Sequence, residues 1–225
     1  MTTSPSNSDV PVHVIGAGGH AKVVLSVLQA AGYAIAGLHD DDPARQGEQV
    51  LGVPILGPNA LLANTPETHA IIAIGSNEAR KRIAATLDRV TWVGPVVHPS
   101  ACVHESATIG VGTVIFAQAV VQPCAQIGKH VIINTAATVD HDCVLEDFVQ
   151  LTPGVHLGGT VRLGEGAFLG VGCSVIHGRT LGGWITVGAG AAVVCDLPGR
   201  IVAVGVPARR QEQSAIRPPY LEADG

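Results

Sequence analysis

One short stretch concentrates groups that could move a proton. Val139-Asp140-His141-Asp142-Cys143 sets an imidazole between two carboxylates. A neutral imidazole accepts a proton near neutral pH, and a carboxylate on its other ring nitrogen raises its basicity. On a straight strand His141 and Asp142 would point to opposite faces, so their pairing requires a corner or an Asp reached by way of another subunit. A second pattern could bind a phosphate. Gly16-Ala17-Gly18-Gly19-His20-Ala21 is a GxGxxA turn between an apolar strand and a helical run. Its amides could hold an anion at the helix start, and Asp40 follows roughly twenty residues later, as the ribose acid of the dinucleotide fingerprint does. Neither pattern decides alone. The chain has ten histidines, and a lone one at a corner is most often exposed decoration. A glycine turn can also close a βα unit and bind nothing. An NAD site is disfavoured because there is no second mononucleotide half.

The elements that must carry His141 follow from a repeat. Stepping by six from Val97 to Val193 visits seventeen positions, and all are Val, Ile or Leu. The fifth position of each hexad is mostly small, as at Ala101, Ala119, Ala137 and Cys143. The second is often glycine, as at Gly110, Gly128, Gly158 and Gly164. Period six suits neither a helix nor simple strand alternation. It predicts a parallel β-helix in which three hexads make one triangular coil, for nearly six coils. The aliphatic and small residues point inward, and the second-position glycines are expected to supply the corner dihedrals. An ordinary β-sandwich would not hold one frame for so long.

The glycine turn belongs to a different texture. Pro11–Ile15, Tyr33–Leu38 and Ala70–Ile74 read as strands, and Lys22–Ala31 and a run ending near Leu87 as helices, which makes a small parallel α/β sheet. The expected organisation is a disordered N-terminus at 1–10, a Rossmann-like domain at 11–93, the β-helix at 94–198 and a tail at 199–225.

Composition narrows the function. The formal net charge is −5 with no basic block, which argues against nucleic acid as a partner. No apolar run is long enough to span a membrane, and the polar start lacks a signal-peptide core. Five scattered cysteines without CxxC pairs fit a reduced, cytoplasmic protein. Only seven residues are aromatic, in keeping with many thin, similar layers.

These features occur together in one family. The GAGGHA turn, Ile74-Gly75-Ser76-Asn77-Glu78-Ala79-Arg80, the hexads with Asn134 and Val139–Cys143, and a Gly205-Val206-Pro207-Ala208-Arg209 tail resemble the sugar acetyltransferases of bacterial surface-polysaccharide synthesis. That group holds the sialic-acid O-acetyltransferase-like proteins and the nucleotide-4-aminosugar N-acetyltransferases, and the resemblance covers roughly residues 11–210. It implies a left-handed coil, which sequence alone would not give. It also implies a homotrimer with acetyl-CoA as co-substrate, and no tightly bound cofactor or metal. Its acceptor would be the 4-amino group of a nucleotide-linked 4-amino-4,6-dideoxy sugar, GDP-perosamine by overall similarity, in O-antigen synthesis. By the resemblance His141 is the base, assisted by Asp142. Gly18, Gly19, His20, Asp40, Asp41, Gly75, Asn77 and Arg80 would line the nucleotide-sugar pocket, and Asn134 would orient the thioester or the sugar. Gln150, Gly159, Val171, Pro207 and Arg209 would touch acetyl-CoA, with Gln150 standing where some relatives have His. His156 and His177 would play supporting parts. Rival readings are O-acetylation of a sugar such as sialic acid, a zinc enzyme like the hexapeptide-repeat carbonic anhydrases, for which no close histidine pair is seen near His141, and a non-catalytic nucleotide-binding scaffold.

Overall fold

The computed structural model describes residues 10–64 and 68–211. The expected disordered start, apart from its last residue, and the tail beyond 211 lie outside the described residues.

The N-terminal domain is a six-stranded sheet in the order β3-β4-β2-β1-β5-β6. These are β1 Val12–Ile15, β2 Ile35–His39, β3 Gln49–Val50, β4 Val53–Gly57, β5 His69–Ile72 and β6 Thr91–Trp92. All pairs are parallel except the β3–β4 hairpin, which the sequence did not announce. Helix α1, Gly19–Ala30, carries an apolar stripe of Ala21, Val24, Leu25 and Leu28 at helical spacing. Helix α2, Asn77–Thr86, starts from Ser76, whose hydroxyl accepts from the Ala79 amide.

The second domain is a left-handed parallel β-helix of two-residue strands, beginning with β7 Val96–Val97, β8 Cys102–Val103 and β9 Thr108–Ile109. Each strand pairs with the one eighteen residues on, as Val114 does with Ile132, giving three flat sheets. The aliphatic positions are buried from Ile115 to Val193, while Val97, Val103 and Ile109 line the half-open first coil. Residues 199–211 are more than a tail: β24 Val202–Val204 joins the first sheet beside β22 Thr186–Val187, and β25 Arg209–Arg210 pairs with it.

The corners correct one expectation. Positive φ falls on the fourth hexad position, every sixth residue from Gly112 to Gly190, and includes Ala136 at 56° and Asp142 at 57°. The second-position glycines have ordinary dihedrals and are required by space. A Cβ on Gly110 would sit 2.7 Å from the Gly128 carbonyl carbon, and one on Gly158 2.7 Å from the His177 nitrogen. Coils stack too closely there for any side chain.

The two domains share one core. The outward residues of the first β-helix sheet, Val96, Val114 and Ile132, are apolar and pack with Val24, Leu25 and Leu28 beneath the small sheet. Beside this core Arg80 is 1 % exposed. Its guanidinium donates to the carbonyls of Gly75 (2.9 Å), Ile74 (3.2 Å), Phe148 (3.0 Å) and His130 (3.3 Å), and to Gln150 Oε1 (3.5 Å). Burial without a carboxylate contact lowers its pKa to about 9. His130 stacks on Phe148 and meets Trp92 edge-on, and burial brings its pKa down to about 4, so it is neutral. At the exposed edge of the seam Lys81 pairs with Glu165 at 2.8 Å.

Arg80→Met should strand several buried carbonyls at about 1–3 kcal/mol each. The expected loss is at least about 3 kcal/mol, a Tm drop of about 6–12 °C by calorimetry. An unchanged Tm would show that the seam does not depend on this guanidinium.

Candidate active site

His141 lies at the corner between β14 Thr138–Val139 and β15 Val144–Leu145. The left-handed turn at Asp142, a residue that tolerates this region, swings its carboxylate beside the ring. Asp142 Oδ2 lies 2.8 Å from His141 Nδ1, and Asp140 Oδ1 accepts from the His141 amide at 2.7 Å. Both paired side chains are 57 % exposed. The hydrogen bond to Asp142 raises the imidazole pKa above 6.5. With Nδ1–H directed at the carboxylate, Nε2 is left as the proton acceptor. The corner that the pairing requires is therefore present.

One face organises the expected acetyl-group residues. The second sheet presents Thr138, His156 and Ser174 outward in register, with Thr138 Oγ1 3.0 Å from His156 Nδ1. Asn134 and Val171 sit at the corners on one edge of this face, and His141, Gly159 and His177 at the corners on the other. Asn134 Oδ1 is turned back on the Thr135 amide at 2.8 Å. Val171 is 56 % exposed. The chain end returns to the same sheet: the Ala192 amide donates to Gly205, and the Ala208 amide to Ala192. Pro207 and Arg209 are exposed beside it. Gln150 is elsewhere. It lies in the first sheet, 7 % exposed, in the domain seam facing Arg80.

The glycine turn lies at the carboxyl ends of the parallel strands, where β1 has β2 on one side and β5 on the other. Such switch points open a crevice. Gly16 is demanded by the fold, with φ 97° and Ile74 Cγ1 only 2.6 Å from where a Cβ would stand. Gly18, Gly19 and Gly75 are different, since a Cβ on any of them meets nothing within 4 Å. They border open space. Asp40 accepts from the amides of Ala17 (2.8 Å) and Asp42 (3.0 Å), and Asp41 from the amide and side chain of Asn59, both at 2.8 Å. His20 leans on Phe116 of the β-helix, and its Nε2 is buried without a partner. Burial, helped by Arg80, takes its pKa to about 4, so it too is neutral. Asn77 and Arg80 lie deeper: Asn77 is 5 % exposed and donates to Gly166 at 3.0 Å, and Arg80 donates into the seam.

Arg45 escaped the sequence reading. Its Nη1 donates to the Ala17 carbonyl at 2.6 Å, inside the glycine turn. The available signal was Asp42-Pro43: Asp42 caps a short 3₁₀ turn at the Ala44 amide with Pro at its first position, and that turn carries Arg45 back. Among the described residues no three His, Cys, Asp or Glu side chains converge as a metal site would require, and no helix is long and apolar enough to cross a membrane.

Residues 11–87 match the family described as the PglD N-terminal domain. The chain is 40 % identical to a His-to-Asn variant of perosamine N-acetyltransferase from Caulobacter crescentus in complex with CoA and GDP-perosamine. That match covers 92 % of this chain and 99 % of the other, with a TM-score of 0.85. It is likewise 40 % identical to the acetyltransferase domain of PglB from Neisseria gonorrhoeae in complex with acetyl coenzyme A, covering 89 % and 98 %, with a TM-score of 0.82. GDP-perosamine N-acetyltransferase from Escherichia coli O157:H7 is 27 % identical over 218 residues, 89 % of this chain and 96 % of that protein. A glycine-turn α/β domain fused to a hexad coil, with an aspartate-paired histidine at a corner and this likeness over nearly the whole length, makes the chain a member of the nucleotide-sugar N-acetyltransferase family, using acetyl-CoA as co-substrate.

Proposed function

We propose that the acceptor is the 4-amino group of a GDP-linked 4-amino-4,6-dideoxy sugar, GDP-perosamine, and that the product serves O-antigen synthesis. The observation that carries the catalytic part is the exposed His141–Asp142 pair at 2.8 Å. Support for the acceptor comes from the Caulobacter and Escherichia relatives. Replacing a histidine of the Caulobacter protein by Asn or Ala leaves both CoA and GDP-perosamine bound, as suits a residue needed for chemistry more than for binding.

The division of labour follows the two domains. The N-terminal domain holds the nucleotide-sugar: the open glycines Gly18, Gly19 and Gly75 let it approach the backbone, Asp40 and Asp41 shape the crevice, and His20 stands at its floor. The β-helix face holds acetyl-CoA by Gly159, Val171, Pro207 and Arg209, with Asn134 at the opposite edge from His141. The sugar amine attacks the thioester carbonyl carbon. His141 Nε2 takes the proton lost by that nitrogen, and Asp142 stabilises the imidazolium. The tetrahedral intermediate collapses, the C–S bond breaks, and the thiolate leaves and is protonated as CoA. The His141 corner is open to solvent on this chain, so a neighbouring β-helix supplies the other wall of the groove, which makes the working unit a homotrimer. Both substrates are cytoplasmic metabolites, and the enzyme works there. O-Acetylation would use the same residues on a hydroxyl acceptor.

With acetyl-CoA and a panel of GDP-, UDP- and dTDP-linked 4-amino sugars, thiol release should be fastest with GDP-perosamine. A faster 4-hydroxy sugar would replace N- by O-transfer. His141→Asn should lower kcat about 10²–10⁴-fold, less at high pH where the amine deprotonates unaided. The wild-type rate should rise with pH through a midpoint above 6.5, because the raised pKa keeps His141 protonated to higher pH, and Asp142→Asn should move that midpoint down. Wild-type kinetics in His141→Asn at every pH would remove it from the site.

Asp40→Ala should loosen the glycine turn through the Ala17 amide, raising KM for the nucleotide-sugar and leaving that for acetyl-CoA almost unchanged. Equal effects on both constants would contradict a nucleotide crevice in the N-terminal domain. Light scattering at micromolar protein should give a trimer, and a fully active monomer would refute the shared groove.

A further inference from the structure

The catalytic corner has a floor. Gly159 lies one coil beyond His141 at the same hexad position, and the two are joined by the Thr160 amide donating to the His141 carbonyl at 2.9 Å. A Cβ on Gly159 would come within 2.5 Å of His141 Nε2, 2.6 Å of Cε1 and 3.1 Å of Cδ2. Three ring atoms at these distances mean that the imidazole lies over the glycine, with its reactive edge in contact with the backbone. No φ above zero demands glycine at 159. Its neighbour Gly158 does face backbone, the His177 nitrogen at 2.7 Å. The side chain missing at 159 therefore leaves room for the imidazole of His141.

We propose that Gly159 is a positioning residue: by lacking a side chain it forms the floor on which the His141 ring lies while paired with Asp142. The proposal rests on His141 being the catalytic base. It adds a steric role to whatever contact the Gly159 backbone makes with acetyl-CoA.

The backbone cannot yield to a methyl group here. The Gly159 carbonyl accepts from the Gly178 amide at 2.9 Å and from Thr160 Oγ1 at 2.7 Å. The His141 amide is held by Asp140, and the Asp142 amide donates to Pro123 at 3.1 Å. Both corners are pinned, and the ring is the part free to turn. Its side chain is more than half exposed, so it can lift toward solvent, away from Asp142 Oδ2.

Gly159→Ala tests this in the trimeric enzyme. The thermal transition should be almost unchanged, because a terminal ring moves and the ladder does not. An NMR titration of the His141 ring should show its midpoint falling toward the ordinary histidine value, in the same direction as in Asp142→Asn. The groups facing the ring are Asp140 and Asp142 on its own corner. The kcat should drop about tenfold or more, the order expected from a misplaced catalytic group, with KM for the nucleotide-sugar unchanged. A Gly159→Ala enzyme in which His141 titrates as in wild type would overturn the proposal, and a lower kcat would then be assigned to the acetyl-CoA contact alone. The titration is read in the free enzyme, so it stands even if His141 proves not to be the base.

Discussion

Everything in the larger domain answers to one constraint: after eighteen residues the chain must return to the carbonyl it left. Each two-residue strand finds its partner one coil on, and between strands the chain must bend within four residues. The bend is made by a left-handed residue at every sixth position, and the coil accepts Ala136, Thr160 or Trp184 there when glycine is absent. The left-handed residue turns its own side chain to the side of the residue before it. That is how adjacent residues, His141 and Asp142, come to lie 2.8 Å apart when a strand would have separated them. The histidine–aspartate pair is a by-product of coil closure, and so is the closeness of the coils that makes Gly158 and Gly110 obligatory.

The repeat was legible because its signal is periodic and long. Seventeen aliphatic positions in one frame leave little freedom, and the inward sets appear where the frame puts them. The role of the second-position glycines was misread because composition cannot separate a glycine chosen for its dihedrals from one chosen for lack of bulk. That distinction lives in the spacing between coils. The sequence did not show that Asn77 and Arg80 of the small domain and Gln150 of the β-helix are buried where the two domains meet. A clue was present: Val96, Val114 and Ile132 are outward positions that stay apolar, and an apolar outward column must be covered. The His141–Asp142 pairing was anticipated as far as its need for a corner. Arg45 was missed because its partner, the Ala17 carbonyl, is invisible in a list of side chains.

Two buried histidines are kept neutral on either side of the seam, His20 and His130, while the exposed His141 is made more basic. The contrast has one cause. The first two are desolvated near a guanidinium, and the third meets a carboxylate in water. Burial and charge sort three chemically identical side chains into two packing groups and one proton acceptor.

The seam also has a consequence for the ionic medium. Lys81 and Glu165 are exposed enough for dissolved ions to weaken their attraction. Arg80 is beyond the reach of counterions, and its partners are carbonyl dipoles with no net charge to screen. At Arg80 the joint between the two domains is therefore insulated from salt. A change of ionic strength would alter the affinity of charged substrates for this enzyme before it altered the angle between the two domains.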